Sequence, residues 1–151
     1  MKSLIIVSIL ATLVLSVNAQ EAPKPANLKV LLVMEQTDFK SALIDKIKTL
    51  LEQQQAQITI VKDSEKKIQP FKASDYDLVF ITNSGVMSKV RPWITDWLDK
   101  NRADSSKILL HTTKKLVWQE AVTVDAVSSA SSKKLVPALA QEYVQRLLSK
   151  R

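Results

Sequence analysis

Residues Lys29 to Met34 are apolar from Val30 onward and partly β-branched, the pattern of a strand buried on both faces of a parallel sheet. Thr37 or Asp38 then caps a helix over Asp38 to Gln54, whose Phe39, Leu43, Ile47, Leu50 and Leu51 share one stripe that must cover the sheet. Ile58 to Val61 makes a second strand. The polar stretch from Lys62 to Asp75, interrupted by Pro70, lacks the periodicity of a full helix, so the second crossover is predicted to be truncated. Asp77 to Thr82 is the third strand, and Pro92 opens a helix with Trp93, Ile94, Trp97 and Leu98 on its buried side. Lys107 to Thr112 and the less apolar Val122 to Val127 read as the fourth and fifth strands, with room between them, at Lys114 to Glu120, for a turn or two of helix. The last helix, Pro137 to Ser149, carries leucines and Tyr143 on one stripe and ends among Arg146, Lys150 and Arg151, which suit the negative end of its dipole. Strands alternating with helices, joined by right-handed crossovers, predict an α/β fold: a three-layer, open, mostly parallel five-stranded sheet.

The segment before this pattern is different in kind. Lys2, the apolar run Leu4 to Val17 and the small residues of Val17-Asn18-Ala19 read as a signal peptide over residues 1–19, cleaved before Gln20. The run is shorter than the roughly 20 residues that span a bilayer and is diluted by Ser8, Thr12 and Ser16, so no transmembrane segment is expected after cleavage. Residues 20–27, with two prolines, form an extended tether, and 28–151 a single domain. The expected location is periplasmic or secreted. The chain has no cysteine, which excludes disulfides, thiolate chemistry and Cys-based metal sites. Of the formal net charge of +7 only Lys2 leaves with the signal, and the remainder suits an anionic small molecule or an acidic envelope protein as partner. Basic residues are interleaved with acidic ones, which speaks against nucleic acid.

The order of elements, with Ser74-Asp75-Tyr76-Asp77-Leu78-Val79-Phe80-Ile81-Thr82-Asn83-Ser84-Gly85 leading into an aromatic helix, resembles the flavodoxin-like superfamily over essentially all of Leu28 to Ser149. The resemblance implies strand order 2-1-3-4-5 and raises FMN as a cofactor, held in flavodoxins by a Thr/Ser/Gly-rich loop after the first strand. Here that loop reads Glu35-Gln36-Thr37-Asp38-Phe39-Lys40-Ser41. Thr37 and Ser41 keep hydroxyls, but no glycine is present, and Glu35 and Asp38 would repel a dianion. A receiver domain is excluded because the third strand ends in Ile81-Thr82-Asn83 without a phosphoacceptor carboxylate. A shorter segment, Asp125-Ala126-Val127-Ser128-Ser129-Ala130-Ser131, resembles the Asp-x-x-Ser-Gly-Ala-Thr segment of exported FMN-binding domains. That likeness implies Ser131 as the hydroxyl for covalent flavin attachment, with Ser129 standing where the family has glycine.

Ligands of open α/β sheets settle beyond the carboxyl ends of the strands. The loops expected there offer Thr82, Asn83, Ser84 and Gly85 as small hydrogen-bonders, Lys114, Lys115, Lys133 and Lys134 as cations beside Lys89 and Arg91, and Trp118 as a stacking surface. The plain alternative is that these lysines only solvate loops, since Lys66-Lys67 forms the same pair elsewhere. His111, the one histidine, has no acidic cluster for a metal and no recognisable nucleophile elbow, and is expected to cap a strand end. The reading is a flavodoxin-like domain acting as a non-catalytic binding or accessory protein of the envelope. Its alternatives are an exported electron-transfer protein with unconventionally bound FMN and, more remotely, a hydrolase or transferase using His111.

Overall fold

The computed structural model describes residues 27–62, 65–84, 89–113 and 122–151. The segments read as signal peptide and tether lie outside them, except for Asn27, as do Gly85, Lys114, Lys115 and Trp118 and the helix expected at Lys114 to Glu120. Five strands, β1 (Lys29–Met34), β2 (Gln57–Lys62), β3 (Leu78–Asn83), β4 (Ile108–Thr112) and β5 (Asp125–Ser128), form one all-parallel sheet in the order β2-β1-β3-β4-β5. The helices are α1 (Asp38–Glu52), α2 (Glu65–Ile68), α3 (Pro92–Lys100) and α4 (Val136–Leu148). The four-residue α2 is the truncated crossover expected from the sequence.

Alternation along the strands sorts the core into two layers. Val30, Leu32, Leu78, Phe80 and Leu109 face α1 and α4, whose Phe39, Leu43, Ile47, Tyr143 and Leu147 cover them. Leu31, Val33, Val79, Ile81, Ile108 and Leu110 face α3 and pack with Ile94, Trp97 and Ile68. Trp97 is buried and Trp93 packs at its margin, as sheet-facing core. The central strands are therefore apolar on both faces, whereas β2 and β5 at the edges are mostly half-buried.

Helix ends follow local chemistry. Thr37 is the N-cap of α1, its Oγ1 accepting from Lys40 N–H at 3.3 Å. At the other end Gln55 N–H donates to the Glu52 carbonyl and Ala56 N–H to the Leu51 carbonyl, a Schellman closure with Gln55 at φ 61°. One boundary departs clearly from expectation: β5 begins at Asp125, and Val122 and Val124 precede it, packed on the α3 side of the core. Their apolar character reports burial rather than strand pairing. Asp125 instead anchors the edge, accepting from Arg146 at 2.7 and 2.8 Å and pairing with Lys150 at 3.1 Å, so that α4 is clamped to β5. Arg146 hydrogen bonding holds the Asp125 carboxyl down at about 2. Among the described residues no helix is long and apolar enough to cross a membrane.

Candidate functional site

Among the described residues the buried polar side chains are Lys40, Thr82, Asn83, His111 and Thr112. All but Lys40 lie on β3 and β4 at the carboxyl edge of the sheet, and Lys40 comes to the same edge from the first turn of α1. Burying an ammonium is unfavourable unless it meets an anion. The anion is Glu35, just beyond β1: Lys40 Nζ donates to its Oε2 at 2.5 Å and to Ser84 Oγ, Ser84 N–H donates to the same Oε2 at 2.8 Å, and Arg91 Nε pairs with Oε1. The sheet order brings this about, because β1 and β3 are neighbours in register and release Glu35 and Ser84 side by side. Burial pushes the Glu35 carboxyl up, but the bonds from Lys40 and Ser84 and the charges of Lys40 and Arg91 outweigh it and hold the group below its ordinary value. Burial lowers the affinity of Lys40 for its proton, with Glu35 opposing.

Around this cluster the described side chains of the edge bond to one another and to the backbone. Thr82 Oγ1 reaches the Val33 carbonyl at 3.4 Å; Asn83 donates to Thr112 Oγ1 at 3.4 Å and accepts from Arg91 N–H at 3.3 Å. Thr82 and Asn83 thus serve the interior, and Ser84 is half-buried against Glu35 and Lys40. Lys133 pairs with Asp38 at 2.9 Å across the starts of α1 and the turn before α4, while Lys134 and Lys89 are exposed. Ser131 is exposed in the segment after β5.

His111 is fully buried, enclosed by the rings of Phe39, Phe80 and Tyr143 at centroid distances of 6.2, 6.1 and 5.3 Å. Its Nε2 lies 2.9 Å from Ser129 Oγ, and that hydroxyl reaches the Ala130 carbonyl at 3.3 Å. With the hydroxyl donating to that carbonyl, Nε2–H donates to Ser129 and Nδ1, which has no partner, is left as a bare lone pair, the cheaper orphan inside an aromatic box. Burial, reinforced by the charge of Lys40, lowers the imidazole to about 3, so it is neutral at physiological pH. A base that would have to become a buried imidazolium is poorly suited to taking the Ser129 proton.

Several of the donors that a flavin phosphate would draw on after β1 are already engaged. Thr37 N–H donates to the Glu35 carbonyl, Ser41 N–H to the Thr37 carbonyl and Lys40 N–H to Thr37 Oγ1, while Ser84 N–H serves the Glu35 carboxylate. With Asp38 in the first helical turn adding like charge, the residues present do not fit that group.

Sequence reasoning singled out Ser84 and placed Arg91 on the rim, but it took Glu35 only as a repelling charge and passed over Lys40 and Ser129 in these roles. Lys40 carried a signal: it extends the buried line of Ile44, Ile47 and Leu51 back by one turn, an apolar position holding a cation.

No protein-family model and no curated protein matches the chain. Solved structures do. A flavodoxin from the domain Archaea is similar at a TM-score of 0.53 and 9% identity, over 81% of this chain and 97% of that one. The flavodiiron core of Flv1 from Synechocystis sp. PCC6803 is similar at 0.53 and 11% identity, over 82% of this chain, and the rubredoxin oxygen:oxidoreductase of the anaerobe Desulfovibrio gigas at 0.52 and 12%, over 83%. The chain spans 37% of the length of each of these last two. At such identities the likeness concerns architecture alone, and with the observed strand order it makes this a divergent flavodoxin-like fold.

Proposed function

We propose that the chain is an exported flavodoxin-like protein of the cell envelope that acts by binding, as a non-catalytic accessory protein. The observation that carries this reading is the Glu35 carboxylate lying where the fold would present its phosphate cradle, with Ser84 N–H, Lys40 and Arg91 all turned toward it. The neutral, enclosed His111 supports it by arguing against general-base work. The exposed Lys89 and Lys134, on a chain of net charge +7, favour an anionic small molecule or an acidic envelope protein as the bound species. The second reading, an exported electron-transfer protein holding FMN in a non-standard way through the basic rim, Trp118 or Ser131, draws support from the likeness to a flavodoxin and from the exposure of Ser131.

Visible absorption of the protein purified from the exported fraction, followed by titration with FMN, tests the choice. A colourless protein that leaves added FMN fluorescence unquenched is the expected outcome. Flavin bands would favour the second reading, and bands that stay with acid-precipitated protein would make Ser131→Ala the next variant.

A further inference from the structure

We infer that Glu35 is a tethered ligand: its carboxylate occupies an oxyanion site built by the donors Ser84 N–H and Lys40 Nζ and by the charge of Arg91, whose free ligand would be a small carboxylate. The inference deepens the proposed function and rests on it in taking this edge as closed to a flavin phosphate. Two donors and one further cation reach the carboxylate from three separate places in the fold: Ser84 N–H at the end of β3, Lys40 Nζ in the first turn of α1, and the Arg91 guanidinium, whose Nε makes no hydrogen bond, from the residue before α3. Lys40 has no exposed surface, and its side-chain bonds go to Glu35 and Ser84, so its position is explained by an anion at this point. The Glu35 side chain retains 17% of its exposure and hangs from the loop after β1, outside any strand or helix. The positive receptor is thus fixed by the scaffold, and the negative group is delivered to it by a short loop.

Truncating the tether should leave the receptor standing. In Glu35→Ala two cations and an amide N–H would face a gap the size of a carboxylate, and the like charges of Lys40 and Arg91 would repel until an anion entered. A solvent-exposed ion pair makes no such demand, since either salt would screen the charge left behind.

The test compares full-length wild type, Glu35→Ala and Glu35→Ala/Lys40→Met by thermal melting in sodium formate and in sodium chloride at equal ionic strength. Wild type is expected to melt alike in both salts. Glu35→Ala is expected to melt lower than wild type in chloride and to regain about 4 °C in formate with a saturable dependence. The double variant is expected to lose that response. Equal melting of Glu35→Ala in formate and chloride overturns the inference. If that variant is unfolded in chloride, circular dichroism in formate decides: native signal regained supports the site, and a chain unfolded in both salts overturns it. FMN binding by wild type would sink the proposed function instead, and the two failures are separately visible.

Discussion

At the scale of single residues, His111 makes the pH dependence of this protein specific. An imidazole that takes its proton at about 3 in the fold and near its ordinary 6.5 in the unfolded chain leaves the unfolded state binding more protons between those values. Its contribution is therefore complete above pH 6.5 and is lost as pH falls toward 3, at up to about 1.4 kcal/mol per pH unit. Urea unfolding at pH 7 and pH 5 should show this loss in the wild type. His111→Phe, with an aromatic ring kept among Phe39, Phe80 and Tyr143, should unfold at nearly the same urea concentration at both pH values. Asp125 acts at lower pH: its support is present above 3.8 and is lost only as pH falls toward 2, so it leaves the pH 7 to 5 comparison undisturbed. An equal slope in wild type and His111→Phe would mean that other groups set the acid limb.

At the scale of elements, the close of α1 stores a correctable cost. Gln55 sits at φ 61°, where a side chain is disfavoured and glycine is not, while the two bonds of the Schellman closure hold it there. Gln55→Gly should raise stability by roughly 1 kcal/mol, less whatever the unfolded chain gains in freedom, seen as a higher urea midpoint at unchanged slope. The same scale shows how far the sequence could be read. β1, β3 and β4 were legible almost to the residue because burial on both faces leaves an apolar run, interrupted only toward the carboxyl ends of β3 and β4. β5 was not, because Val122 and Val124 are packed without pairing, and hydrophobicity cannot tell those two fates apart. The site was harder still. Glu35, Ser84 and Arg91 meet only after β1 and β3 are made neighbours, so no spacing along the chain announces them. Lys40 hid in a chain whose lysines are mostly solvated, although its place on the α1 stripe marked it.

For the whole molecule, the sheet sets a gradient from centre to margin. β1, β3 and β4 are shielded on both faces, whereas β2 lies beside a crossover of one short helix and β5 is four residues long. Hydrogen exchange of the backbone amides should follow that gradient: those of β3, flanked by a strand on each side, open only with global unfolding, while those of β2 and β5 exchange through smaller local openings. Exchange rates in β2 matching those in β3 would show the sheet opening as one unit. A margin that opens ahead of the centre has a consequence for durability, since brief openings would expose β2 to proteases while the interior stays shut. In a chain free of cysteine, no disulfide restrains those openings, and the lifetime of the protein among proteases would be governed by its margins rather than by its average stability.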